Sequence, residues 1–219
     1  METWESVDDF FSATIVREDD ALLNALRESR KHGLPEWEVS PAQGQFLYIL
    51  AKMAKAKRIL ELGTLGGYST IWLARALPDD GALVTLEYDE KYAEVARGNI
   101  DYAGLSDKVT VMQGAAAGLM KSLVAGGEPP FDMIFIDADK PNNPLYLELA
   151  LKLSARGTVI FGDNVVRDGE LANAQSTDPK VRGVREYIAD LGRSPNIIST
   201  GLQTVGCKGY DGFTISIVE

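Results

Sequence analysis

Two short acidic clusters carry the most chemistry in this chain, Asp137-Ala138-Asp139-Lys140 and Gly162-Asp163-Asn164. Each follows a short apolar run, residues 131–136 and 158–161, rich in the β-branched and aromatic side chains of a buried strand. Helical character between the runs makes the pair a strand–helix–strand unit with parallel, adjacent strands. Asp137, Asp163 and Asn164 then emerge at one edge of the sheet, on strands about 4.8 Å apart. Three oxygen-bearing side chains at the carboxyl ends of parallel strands suit a hard divalent cation. Lys140, three residues past Asp137, would stand over that site rather than end as an ordinary solvated lysine. Either motif alone also has a plainer reading, in which one Asp caps a helix and the other opens a turn.

A second constellation runs from Glu61 through Gly63, Thr64, Gly66 and Gly67 to Ser69, directly after the apolar run Arg58 to Leu62. Glycines at this point let a backbone and a ligand approach closely where a helix begins. The spacing is E-x-G-x-x-G-G, not the dinucleotide fingerprint G-x-G-x-x-G. A carboxylate two residues ahead of the first glycine repels a pyrophosphate but pairs well with an α-amino group or a sulfonium-bearing ligand. The next strand ends in Glu87, placed where an acid can accept both hydroxyls of a ribose. Glu61, Glu87 and the acidic edge together favour S-adenosylmethionine.

These residues need a sheet to hold them. Residues 1–35 read as two helices without a strand partner, with Phe10, Phe11, Ile15, Leu22, Leu23 and Leu26 supplying apolar faces. Ser40-Pro41 is an N-cap and first-turn pair opening a helix to about Ala54. Alternation follows: strands at 58–62, 83–87, 109–113, 131–136 and 158–161, with helices at 68–76, 90–103 and 116–124 and helical character ahead of the fifth strand. A helix over 179–191 precedes two strands, 197–205 and 212–218, linked so briefly by 206–211 that they form an antiparallel hairpin. The pattern is a doubly wound, Rossmann-like α/β domain covering 1–219, with a mostly parallel sheet closed by the hairpin and a helical extension at 1–38. The longest irregular stretch, Val165 to Asp178, follows the second acidic cluster and reads as a substrate loop.

Composition narrows the partners. At 219 residues and 45% hydrophobic, one domain with one sizeable core is the default. A formal net charge of -10 disfavours nucleic acid and acidic membrane surfaces. The lone Cys207, the polar start Met1-Glu2-Thr3-Trp4-Glu5 and the lack of a long apolar run fit a cytoplasmic protein without a membrane partner. The single histidine, His32, precedes Gly33 in a polar stretch and reads as a helix-end surface residue. Proton transfer must therefore fall to a carboxylate, a lysine, a tyrosine or a metal-assisted group.

The runs I-L-E-L-G-T-L-G-G-Y-S (59–69), F-I-D-A-D-K (135–140) and G-D-N (162–164) resemble the cation-dependent O-methyltransferases, the family of the catechol and caffeoyl-CoA enzymes. The small bacterial members are the nearer match, through S-P-A-Q-G-Q-F-L (40–47) and L-Q-T-V-G (202–206). The resemblance covers nearly the whole chain from about Leu34 and implies the metal ligands Asp137, Asp163 and Asn164. It also implies cofactor contacts at Val39, Glu61, the Gly63-Thr64 backbone, Ser69, Glu87 for the ribose and Ala116 near the adenine. Asp137 or Asp139 and Tyr146 would lie near the methionine end. Asp168 falls where plant members place a substrate-contacting Asn, Ala115 where an Asp, Ser or Pro is common, and Asn143-Pro144 where many relatives have Asn-Tyr. Of the three tryptophans, Trp37 is the best placed to touch a phenolic substrate.

The activity implied is methyl transfer from S-adenosylmethionine to one hydroxyl of an ortho-dihydroxy aromatic: a catechol, flavonoid or caffeoyl-type molecule. Mg²⁺, or Ca²⁺ or Mn²⁺ in its place, would chelate both hydroxyls and acidify a phenol whose ordinary pKa is near 10. Lys140 would take the proton. The loop after Asn164 and the N-terminal helices would close over the substrate, and the same helices would make a homodimer contact. An RNA or other small-molecule methyltransferase and an NAD-dependent oxidoreductase are the rival classes. The acidic charge opposes the first, and the missing dinucleotide fingerprint opposes the last.

Overall fold

In a computed structural model, residues 3–219 form a seven-stranded sheet with helices on both faces. Met1 and Glu2 of the polar start lie outside the described residues. The chain opens with helices α1 (Thr3–Thr14), α2 (Asp20–Lys31) and α3 (Pro41–Met53), then alternates: β1 (Arg58–Leu62), α4 (Tyr68–Ala76), β2 (Ala82–Glu87), α5 (Glu90–Tyr102), β3 (Val109–Gln113), α6 (Ala116–Ala125), β4 (Phe131–Ile136), α7 (Asn143–Lys152) and β5 (Ser154–Gly162). Helix α8 (Pro179–Arg193) leads to β6 (Ile197–Gly206) and β7 (Gly209–Val218).

Strand order is β3-β2-β1-β4-β5-β7-β6. The first five strands are parallel, and β7 runs antiparallel between β5 and β6. Strand order therefore reverses between β1 and β4, the point where open α/β sheets bind ligands. Side-chain alternation on β4 builds the two core layers. Met133 and Phe135 enter the layer of α2 to α5 with Leu47, Ile71 and Phe161, whereas Ile134 and Ile136 enter the layer of α6 to α8 with Leu60, Tyr146 and Tyr187.

Two expectations shift. Strand β5 starts at Ser154, ahead of the apolar run, because its first residues pair through a register irregularity opposite Phe131 and Met133. Pairing in the hairpin continues to Gly206 and Gly209, leaving a two-residue turn at Cys207-Lys208 instead of a six-residue link. Gly209, at φ +87°, supplies the left-handed conformation that this turn requires. The N-terminal helices also differ from each other. α2 buries Leu22 and Ala25 where it packs on α4 and α5, but α1 buries no residue, and Phe10 and Phe11, with Ile15 just past its end, stay exposed on the side of the β6 edge. His32 ends α2 at the surface, with its ring nitrogen 2.8 Å from the Glu28 carbonyl oxygen.

Candidate active site

The reversal of strand order brings the glycine turn and the first acidic cluster into contact. The Gly63 N–H donates to the Leu86 carbonyl and the Asp137 N–H to the Leu62 carbonyl, each at 2.9 Å. A Cβ on Gly63 would lie 2.2 Å from the Asp137 carbonyl oxygen, and its φ of +91° is also one that side chains resist. Only glycine lets the turn pass this close to the end of β4.

At that end, Lys140 Nζ donates to Asp137 Oδ1 at 2.8 Å, and the lysine is only 6% exposed. Asp163, equally buried at the end of β5, accepts from the Gln43 amide at 2.7 Å and from the Asn164 N–H at 2.9 Å. Burial and then the Asp137 charge push the Asp163 carboxyl up to about 7, against the pull of Lys140 and the two donors. Asn164 takes φ +53°, a left-handed conformation that Asn tolerates and that tends to mark functional sites. Among the described residues no three His, Cys, Asp or Glu side chains gather into a metal cluster. The candidate donor set is two carboxylates and one amide, and the crowding of negative charge on Asp163 is what a bound cation would relieve.

The cofactor side is a network of hydroxyls around a sealed carboxylate. Glu61 is fully buried, with Ser69 donating to Oε1 at 2.7 Å and Thr70 and Thr85 donating to Oε2. Burial pushes its carboxyl up to about 7, the three hydroxyls oppose that rise, and the Asp137 charge adds to it. Glu61 thus faces Ser69 rather than open space. Glu87 accepts the Thr64 and Leu65 N–H groups on Oε2, at 3.1 and 2.8 Å, and the Asp89 N–H on Oε1 at 2.9 Å. It holds the turn in shape, including Leu65 at φ +49°.

The remaining expected residues divide. Val39 is buried in the core beside Leu47, and Ala116 begins α6. Asp139 does not face Asp137's partner; it accepts from the Tyr146 hydroxyl and the Asn142 amide. Tyr146 is buried, and desolvation and the Asp139 charge hold its phenol well above the ordinary value, so the hydroxyl stays a donor. Asn143 is fully buried with both amide atoms unpartnered by protein. Trp37 is 75% exposed, and Lys208 pins the backbone around it, donating to the Glu36 carbonyl at 3.0 Å and pairing with Glu38 at 3.4 Å. Asp168 is exposed in a run of left-handed residues, Arg167, Asp168 and Gly169.

Several functional contacts had no local signal. Gln43 sits inside a noted motif, but its partner is 120 residues away. Asp211 on β7 accepts the N–H groups of Val166 and Arg167, at 2.9 and 3.0 Å, and so anchors the loop after Asn164. Ser29 and Asn99 brace the turn at Gly66: a Cβ there would meet the Ser29 hydroxyl at 1.9 Å, and Asn99 donates to the Gly66 carbonyl at 2.9 Å. Tyr88, next after Glu87 and 77% exposed, stands where β2 ends, beside the expected ribose site. A groove of about 510 Å³ bounded by Val166, Leu171, Ile188, Leu202 and Tyr210 contains none of the candidate residues.

Residues 12–215 match the family model described as O-methyltransferase. The chain belongs to the O-methyltransferase family. A catechol O-methyltransferase of Niastella koreensis is 52% identical over 216 residues, 99% of this chain and 98% of that protein. The structure of an O-methyltransferase from Bacillus cereus in complex with SAH superposes with a TM-score of 0.98 at 49% identity, covering 99% of each chain. A third O-methyltransferase, TomG from Streptomyces achromogenes, involved in tomaymycin synthesis and solved with SAM, gives 0.96 at 45% identity over 100% of this chain and 99% of its own. As an O-methyltransferase, the chain needs a donor site and an acceptor site within reach of each other. The Glu61–Glu87 turn and the Asp137–Lys140–Asp163 cluster meet at Gly63 and Asp137. Among the described residues no helix is long and apolar enough to cross a membrane.

Proposed function

We propose that this O-methyltransferase moves the methyl group of S-adenosylmethionine to one hydroxyl of an ortho-dihydroxy aromatic, with Lys140 as the base. The observation that carries the reading is the charge cluster at the ends of β4 and β5: buried Lys140 donates to Asp137 at 2.8 Å, both charges act on the buried Asp163, and Asn164 follows Asp163 directly with an amide to offer. A divalent cation, Mg²⁺ or else Ca²⁺ or Mn²⁺, held by Asp137, Asp163 and Asn164 would offset the carboxylate charge and acidify a hydroxyl that chelates it. The catechol and SAM- or SAH-bound relatives support the acceptor and donor classes.

In this reading Ser69, the Gly63-Thr64 backbone and Val39 receive the methionine end of the donor, with Glu61 orienting the Ser69 hydroxyl. Glu87 receives the ribose, and Ala116 lies by the adenine. Asp139, held by Tyr146, and Asp137 face the ammonium group. Lys140 takes the hydroxyl proton on Nζ. The oxygen forms its bond to the methyl carbon as the carbon–sulfur bond breaks, and positive charge leaves the sulfur. Opposite charges cancel along this path, so a site that excludes water favours it. Trp37 and Asp168 border the acceptor from the two flanking segments. Asn143 would offer its unpartnered amide to the acceptor.

Helix α1, with exposed Phe10 and Phe11 and with Ile15 just past its end, contacts β6, whose Ile198, Leu202 and Val205 are also exposed, and these apolar residues support a homodimer through this part of the surface. The acidic balance and single cysteine support a cytoplasmic protein without nucleic-acid or membrane partners.

The deciding assay compares a catechol with its matched monophenol, each with EDTA and with Mg²⁺ restored. Turnover is expected only for the catechol and only with the cation, and Asp163→Ala should mimic EDTA. Robust methylation of the monophenol in EDTA would overturn the metal reading and favour a protein-only site.

A further inference from the structure

Helix α8 touches the candidate site from behind at two points. A Cβ on Gly183 would lie 2.4 Å from the Lys140 carbonyl oxygen and 2.7 Å from Pro141 Cα. The helix therefore presses on the Lys140–Pro141 peptide at a distance that only glycine allows. One turn further on, Tyr187 is fully buried, with its hydroxyl 2.9 Å from Thr214 Oγ1 of β7. A Cβ on Gly162 would lie 2.5 Å from that same hydroxyl. Gly162 immediately precedes Asp163, so the second contact backs the end of β5. Gly183 and Tyr187 stand four residues apart and share one helix face.

We propose that α8 is the gauge that fixes the spacing between Lys140 and the Asp163–Asn164 pair, with Gly183 and Tyr187 as positioning residues. The inference rests on the reading of Lys140 as base and Asp163 as metal ligand. Lys140 and Asp163 come from different strands, β4 and β5, and each ends in a loop whose side chains need a fixed separation. The sheet sets where the strands end. It does not set where the chain stands after leaving them, and Lys140 is four residues past the end of β4. The single turn of 3₁₀ helix from Lys140 to Asn142 is too short to hold itself in place. A rigid helix braced on both exits supplies what that turn lacks. An alanine at Gly183 would push the Lys140 backbone toward the site, and small displacements of a reacting group lower turnover far more than binding.

The test is a double-mutant cycle on turnover, with donor affinity measured by calorimetry and stability by thermal unfolding. Gly183→Ala is expected to lower kcat roughly tenfold or more, with KM and S-adenosylmethionine affinity within about twofold. In a Lys140→Ala background the same substitution should lose less than about twofold further, because its effect runs through Lys140. Gly192→Ala, where a Cβ on the same helix meets nothing within 4 Å, should raise the melting temperature and leave kcat unchanged. Tyr187→Phe should raise, about threefold or more, the Mg²⁺ concentration that gives the half-maximal thermal shift. Unchanged kcat in Gly183→Ala, or equal losses in both backgrounds, overturns the inference while Lys140 stands as base. Wild-type kcat in Lys140→Ala removes the base reading and the inference together. If Gly183→Ala does not fold, Tyr187→Phe decides, and an unaltered Mg²⁺ requirement counts against the gauge.

Discussion

Gln43 donates its side-chain amide to Asp163 Oδ2 at 2.7 Å, joining the first turn of α3 to the end of β5 across 120 residues of sequence. The contact is set up locally. Ser40 caps the helix by accepting the Gln43 N–H at 3.2 Å, and Pro41 begins the helix, so the Gln43 side chain leaves a fixed turn. It holds one carboxylate oxygen and leaves the other beside Asn164. Groups that orient a ligand this way are worth about 10- to 100-fold in metal affinity. Gln43→Ala should therefore weaken Mg²⁺ binding by that factor in a thermal-shift titration, with Gln43→Glu weakening folding in the absence of cation. Equal Mg²⁺ titrations for Gln43→Ala and wild type would reduce this contact to packing.

Glu87 should govern donor binding and Lys140 should not. A carboxylate bound to two ribose hydroxyls is worth a few kcal/mol, and Glu87 also holds the Thr64 and Leu65 amides. Calorimetry on Glu87→Ala is expected to show S-adenosylmethionine weakened by about tenfold or more, against less than about twofold for Lys140→Ala. Matching affinities in Glu87→Ala and wild type would remove the ribose assignment.

Lys140→Ala should lower turnover by about 10²- to 10⁴-fold at neutral pH, the usual worth of a positioned base. Part of the activity should return at high pH, where the acceptor hydroxyl ionises without help. Mg²⁺ and donor affinities should hold, since the Asp137 N–H stays fixed on the Leu62 carbonyl at the end of β4. A pH–rate profile that superposes on wild type would demote the lysine to the counter-ion of Asp137.

Glu61 predicts a pH dependence of stability. Folding raises its carboxyl from the ordinary 4.5 to about 7, chiefly by burial. Between those values the folded chain holds a proton that the unfolded chain has released, so stability falls as pH rises. This contribution is complete below about 4.5 and lost above about 7, on the order of 3 kcal/mol between the limits. Thermal unfolding from pH 5 to 8 should therefore decline less in Glu61→Gln than in wild type. Parallel curves would show that Glu61 stays ionised throughout, held by its three hydroxyls.

The strand ends were legible because each apolar run stops where an acid or glycine begins. β1, β3, β4 and α4 have the bounds read from the chain, and parallel pairing of β4 with β5 follows from the segment between them. The acidic cluster was legible for the same reason, since strand exits carry their own punctuation. What escaped were contacts closed only by folding. Gln43 reaching Asp163, Asp211 gathering the loop amides and Gly183 seating Lys140 each join segments far apart in sequence. No residue among them is unusual for its own neighbourhood. The apolar residues of α1 mark a different limit: a helical face guarantees something to cover, not that this chain covers it.

The contact of Gly63 with the Asp137 carbonyl bears on how such a chain can acquire a new acceptor. Donor turn and acid edge are welded there, and no side chain fits between them. Any drift in one would dislocate the other, so the floor of the site is closed to gradual change. The roof is built differently. The segment around Trp37 hangs from Lys208, and the loop after Asn164 hangs from Asp211, both on the final hairpin. Each strap grips mainly main-chain atoms, which are the same whatever side chains the segments carry. Side chains on those segments can change while the straps hold, so under the proposed function acceptor preference can vary apart from methyl transfer.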